Sequence, residues 1–272
     1  MQSEKAYYWP TWLINSYNPS PKFRTQKQFF GKTQINLWRA LNIYDDFLDG
    51  EGKPNELPQG NFNFRIFLKN IYTSDLPTYF LKWTENKLTI LETANERESL
   101  AKKIKLKNGI INIPAKLPHF TDLSRLSDKS LALAIAPIAA LIKANVIKTE
   151  VELKILDNFF KHALAAKQLS DDACDWFEDL NNGAITAVTV LILKMAKKKN
   201  IQLNINKRPE IIYLLFVEAA AEKTCHNILK LCSQAKSEAK KINIDENSPI
   251  ITNLIRPLEL ASQKALDFKK ML

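Results

Sequence analysis

The sequence predicts an all-α protein, on three observations. Of its 272 residues, 46% are apolar and 10% aromatic, enough to bury a substantial core. Only 6 are glycine, and Asn-Gly or Asp-Gly turns between alternating apolar runs, the mark of hairpins, are nearly absent. Apolar residues recur at helical spacing along most of the chain, with no internal repeat and no low-complexity linker. One domain of about eight to ten helices is the expected architecture.

Residues 1–21, MQSEKAYYWPTWLINSYNPSP, mix aromatics with Pro10, Pro19 and Pro21 and read as an extended arm ahead of a domain at 22–272. From about Phe23 to Asp49, apolar positions such as Phe30, Leu37, Trp38, Leu41 and Phe47 surround the helix axis, which marks a central helix. After the loop GEGKPNELPQG, the runs FNFRIFLKNIY and LPTYFLKWTENKLTILETANERESLAKKIKLK give a short and a long amphipathic helix, and IINIPAKLPHF breaks the pattern. A helix is expected from about Leu123 to Val146, kinked at Pro137 within LALAIAPIAALI. The next starts at TEVE, where Thr149 and Glu152 spell a capping box, and runs to about Asn182, with Gly183 as its left-handed terminal residue. The last helices run from about Pro209 to Lys240 and from NSPIITNL onward, with Ser248 as cap and Pro249 in the first turn.

The formal charge of +10 favours an anionic partner. The basic runs AKKIKLK and KMAKKK lack interleaved aromatics and any nucleic-acid module, so they read as solvated faces or as attraction to anionic lipid, and nucleic acid is ranked last. Cys174, Cys225 and Cys232, without CxxC spacing, indicate a reducing compartment. LALAIAPIAALI is too short to span a bilayer and the first ten residues lack a signal core, so the expected location is cytoplasmic, with peripheral membrane contact as an option. FFGKTQ has Gln26 where a phosphate-binding loop needs glycine. His119, His162 and His226 stand apart from one another, and no catalytic triad is spelled.

Two acidic runs carry the chemistry. In DDFLD, Asp45 and Asp49 share a helix face with Leu41 and Trp38; in the second run Asp171, Asp175 and Asp179 continue the line of Phe160, Leu164 and Gln168. Both runs fall in the last turns of their helices, where the helix dipole disfavours an anion by roughly 0.3–1 kcal/mol. One such run reads as a solvated helix end. Breaking the same local rule twice is what functional sites do. All-oxygen ligands without His or Cys suit Mg²⁺, so Asp45, Asp46, Asp49, Asp171, Asp172, Asp175 and Asp179 are the candidate metal ligands, the cations bridging them to a diphosphate.

These residues resemble the class I isoprenoid synthases. DDFLD at 45–49 is similar to their first aspartate motif and QLSDDACDWFEDLNNG at 168–183 to their second. The squalene and phytoene synthase branch matches the second stretch without a gap, through Gln168, Leu169, Asp175, Glu178, Asp179 and Gly183. Chain-elongating polyprenyl synthases are similar through DDACD, and terpene cyclases through the spacing of Asp171, Asp175 and Asp179. The resemblance implies a helical bundle around a central cavity and a Mg²⁺-dependent prenyltransferase acting on isoprenoid diphosphates. Its catalytic carboxylates would be Asp45, Asp49, Asp171 and Asp175, and its substrate-binding residues Gln168, Arg39, Lys53, Tyr44, Phe47 and Trp176. Trp38 and Phe160 are further rings near the acidic helices, and LALAIAPIAALI would wall the cavity. There are departures: Asn42 and Cys174 stand where that branch has arginines, AITAV follows the second motif, and GEGKP replaces the paired arginines of the chain-elongating branch. Diphosphate then needs other cations, Arg39 and Lys53 first, with Arg24, Lys27 and Lys32 behind them. Condensation of two isoprenoid diphosphates is the implied reaction; a terpene cyclase and a non-catalytic prenyl-binding protein are the alternatives.

Overall fold

The computed structural model describes residues 2–17, 21–100 and 104–271, and helices carry most of these residues. The one sheet among the described residues is a short antiparallel pair, β1 (Lys105–Lys107) with β2 (Ile110–Asn112), joined through Asn108 and Gly109, both at positive φ. By Cα packing the chain forms two compact units, each assembled from separate stretches of sequence.

The first unit comprises residues 1–100, 127–161 and 235–255. Residues 2–17 group with it. The expected extended arm is helical here: α1 (Gln2–Tyr7) and α2 (Trp9–Tyr17) both pack on α3 (Arg24–Asp49). Pro10 is the second residue of α2, where its missing N–H has no intrahelical partner to lose, so the proline permits the helix it was read as breaking. Pro19 lies outside the described residues. α4 (Leu57–Tyr72) lies along α3, and α5 (Thr78–Ser99) follows. The expected continuation of α5 through 101–107 is not a helix where described, since Lys105–Lys107 form β1; Ala101, Lys102 and Lys103 lie outside the described residues.

The helix expected over 123–146 is instead three pieces: 3₁₀ turns at Leu123–Ser127 and Leu131–Ala134, then α6 (Ile135–Lys143). Pro137 falls in the first turn of α6 and ends nothing. Residues 131–141 are buried throughout, with Ala132, Ala134, Ala136, Ala139 and Ala140 fully so. Those alanines let α6 approach α2 and α3 closely, and Ile135, Ile138 and Leu141 each contribute roughly 1.5–3 kcal/mol by burial. The unit also holds the start of α7 (Glu150–Cys174). Its capping box forms as spelled: the Glu152 amide donates to Thr149 Oγ1 at 3.2 Å, and the Thr149 amide to Glu152 Oε2 at 3.0 Å. A buried ion pair, Lys87 Nζ to Asp157 Oδ2 at 2.8 Å, ties α5 to α7.

The second unit comprises residues 101–126, 162–234 and 256–272. It contains the end of α7, α8 (Trp176–Asn181), α9 (Ala187–Lys198), α10 (Pro209–Phe216), most of α11 (Glu222–Lys241) and α12 (Arg256–Met271). π-helical turns at Val217–Ala221 and Ile251–Ile255 lead into α11 and α12. The last helix therefore begins near Pro249 as expected, but Ser248 does not cap it by side chain: its hydroxyl is buried with no hydrogen-bond partner among the described residues. Gly183 adopts φ +75, as predicted for a helix terminus. Its carbonyl accepts the Ile104 amide at 2.7 Å, and a Cβ there would stand 2.5 Å from the Ile104 carbonyl oxygen.

Candidate functional site

The first acidic run closes α3. Gly50, at φ +83, ends the helix, and the amides of Glu51 and Gly52 both donate to the Asp46 carbonyl at 2.8 Å, folding the following loop back over the last turn. Gly52 lies so close to the Phe47 ring that a Cβ would come within 2.5 Å of it. Asp45, Asp46 and Asp49 are exposed at this end. Asp45 is nevertheless not bare: Lys129 Nζ lies 2.7 Å from its Oδ1 and 2.5 Å from Glu98 Oε2. Arg97 holds the neighbouring Asp128 at 3.0 Å, so α5 anchors the turn that presents Lys129. Burial pulls the Lys129 ammonium down, but Asp45 and Glu98 outweigh it and hold its pKa above the ordinary 10.5.

Lys129 is the residue that sequence reasoning missed. Its partner lies 84 residues away, a distance that no local spacing rule reaches. Of the cations expected to meet a diphosphate, Arg39 and Lys53 are exposed, and Lys53 uses its backbone amide to bond Glu56 Oε2 at 3.2 Å. Tyr44 donates its hydroxyl to Asn61 Oδ1 at 2.9 Å and sets its ring edge against Phe64.

The second acidic run spans the end of α7 and all of α8. The single helix expected to Asn182 breaks at Asp175, which has φ −100 and ψ 7. The hydrogen-bond ladder survives on both sides of the bend: the Asp175 amide donates to the Asp171 carbonyl at 3.0 Å, and the Asp179 amide to the Asp175 carbonyl at 2.9 Å. Asp171, Asp175 and Asp179 thus stay one turn apart along the backbone. Lys167 Nζ pairs with Asp171 Oδ2 at 2.5 Å, and Gln168 Nε2 donates to Asp172 Oδ1 at 2.9 Å. Burial, then the charges of Asp175 and Asp171, push the Cys174 thiol above its ordinary pKa of 9.0, which registers a negative field at this helix end.

Trp176 is buried, and its ring stacks on Phe216 with centroids 4.5 Å apart and planes 5° apart. Tyr213 and Phe177 stand edge-on to it. Phe160 is fully buried against Trp9, and these two rings are engaged with other rings of the protein. The basic run KMAKKK is likewise committed within the second unit: Lys197 Nζ donates to the Ala115 carbonyl at 2.6 Å, Lys199 Nζ meets Glu218 Oε2 at 2.5 Å, and Lys194 Nζ lies 3.4 Å from His119 Nδ1. A cleft of about 380 Å³ between α11 and α12 contains none of the seven aspartates; Leu229, Leu266 and the Glu222–Lys269 pair line it.

The two acidic runs offer carboxylate oxygens, the donor type a hard divalent cation takes, and Asp45 and Asp171, with half-exposed side chains, are each paired with a lysine. Among the described residues, no group of three or more His, Cys, Asp or Glu side chains is gathered closely enough to hold a metal ion. No described helix is long and apolar enough to cross a membrane.

No protein-family model matches the chain, and no curated protein matches it in sequence. Among solved structures, the apo form of an Arabidopsis medium/long-chain length prenyl pyrophosphate synthase is similar, with a TM-score of 0.65 at 11% identity over 98% of this chain and 90% of that one. At that identity the likeness is one of fold: the all-α isoprenoid synthase fold expected from the sequence is the fold observed.

Proposed function

We propose that this chain is a Mg²⁺-dependent transferase of isoprenoid diphosphates that condenses two of them, as squalene and phytoene synthases do. One coincidence carries the reading: a chain with the fold of a prenyl pyrophosphate synthase along nearly its whole length places an aspartate-rich run at the ends of two separate helices, against the helix dipole. Asp45 and Asp49, with Asp46, would hold metal at the first run, and Asp171 and Asp175, with Asp172 and Asp179, at the second. Magnesium, when bound, supplies positive charge to the departing diphosphate.

In the reaction the allylic C–O bond breaks heterolytically and its electron pair leaves with the diphosphate. The double bond of the second substrate supplies the pair for the new C–C bond, and a proton is lost from the resulting cation. Lys129 is the side chain this sequence offers in place of the missing arginines. Its ammonium is already held at Asp45, and we assign it to the leaving diphosphate once the carboxylate is otherwise neutralised. Gln168 orients Asp172, and Lys167 orients Asp171.

The discriminating experiment incubates purified protein and Mg²⁺ with farnesyl or geranylgeranyl diphosphate and analyses the products by mass. A product of doubled carbon number supports condensation, and a cyclised product of unchanged carbon number supports a terpene cyclase. No turnover of any prenyl diphosphate, alone or in pairs, rejects both. The non-catalytic alternative is favoured by one observation, that lysines already neutralise Asp45 and Asp171. It predicts prenyl ligand binding unchanged by Asp45→Ala and Asp175→Ala.

A further inference from the structure

α12 has two dissimilar faces. Ser262 and Leu266 are buried, so the helix already has its core side. On the side facing solvent, Leu260 is 55% exposed and Phe268 64% exposed, with Pro257, Ala261 and Ala265 exposed beside them. Residues 260, 264 and 268 follow one another at a turn's spacing, so Leu260, Lys264 and Phe268 form one ridge. Lys264 makes no ion pair among the described residues. Lys269 and Lys270 close the helix and are paired, with Glu222 at 2.8 Å and with Asp267 at 3.6 Å, so Lys264 is the cation the ridge itself presents.

Two large apolar side chains with an unpaired ammonium between them suit a lipid surface of opposite charge. The apolar groups enter the boundary of the acyl chains while the lysine stem carries its charge back to the headgroup phosphates. A second copy of the chain suits the ridge poorly. A two-fold contact through it would set Lys264 against a like charge, and lysine is depleted from the cores of protein interfaces. The net charge of +10 acts in the same direction as the ridge.

We infer that the Leu260–Lys264–Phe268 ridge of α12 is a docking surface for an anionic lipid membrane. The inference does not depend on the reaction proposed above. The test is co-sedimentation of the full-length protein with phosphatidylcholine vesicles, with and without phosphatidylglycerol. Wild type is expected to bind the anionic vesicles and to lose that binding as salt is raised. The double variant Leu260→Ser/Phe268→Ser is expected to partition at least about tenfold more weakly, and Lys264→Glu to lose binding with circular dichroism unchanged. Four results each overturn the inference: wild type that binds neither vesicle, wild type that binds both alike, variants that bind like wild type, or a concentration-dependent dimer that the double variant dissolves.

Discussion

Lys87 shows how a single buried charge is made tolerable. Its side chain is 6% exposed, and Asp157, its partner at 2.8 Å, is 20% exposed. Removing one member leaves the other charged and poorly hydrated, at a cost of about 3–5 kcal/mol. Lys87→Met should therefore lower the melting temperature by roughly 10 °C, and adding Asp157→Leu should recover much of the loss; thermal melts of the two variants measure both. Lys129 is the opposite case. Its partners Asp45 and Glu98 are more than a third exposed, so Lys129→Met should change stability by no more than about 1 kcal/mol. Under the proposed function it should still lower kcat/KM at least about tenfold, because it removes charge from the leaving group. Steady-state kinetics beside a urea titration separates the two effects.

At the scale of the element, α7 shows what the sequence could disclose. Thr149 and Glu152 lie three residues apart, so the cap was visible in four letters and appears in the structure. The hydrogen bond from the Lys148 amide holds the Glu152 carboxyl below its ordinary pKa of 4.5, against partial burial that raises it and with help from Thr149. A depressed folded pKa contributes stability that is fully present above the unfolded pKa and is lost as pH falls through the folded one. Wild type should thus exceed Glu152→Gln by about 0.3–1 kcal/mol at pH 7, a gap that closes as the pH drops below 4.5; urea melts at several pH values measure it. The glycines after the acidic runs make a second pair. Alanine at Gly50 meets nothing within 4 Å and should cost only the left-handed penalty of roughly 1–2 kcal/mol. Alanine at Gly183 adds a collision with the Ile104 carbonyl and should cost clearly more, as paired denaturant titrations would show. Long-range or fine geometry stayed illegible. The bend at Asp175 leaves the i, i+4 bonds intact and so leaves no mark in the spacing, and a proline in a first turn looks in sequence like a proline in an arm.

For the molecule as a whole, the sequence disclosed the helical class and the two acidic runs, because both are written in short-range periodicity. It did not disclose the division into two units, because each draws its residues from stretches far apart in the chain. If the proposed function holds, Mg²⁺ and inorganic diphosphate together should stabilise the protein by about 2.7 kcal/mol at a hundredfold excess over Kd, raising the melting temperature by several degrees, whereas either alone should do less. Differential scanning calorimetry with each addition checks it, and identical melts under all conditions would argue for the non-catalytic reading.

The chain passes between the two units five times, and at 161/162 and 234/235 the passage falls inside α7 and α11. Neither unit is therefore a cassette. A ribosome must deliver residue 255 before the first can close and the 256–272 stretch before the second is complete. Nascent chains arrested shortly before that point should be digested by protease almost end to end, and evolution could have acquired or exchanged the two only together.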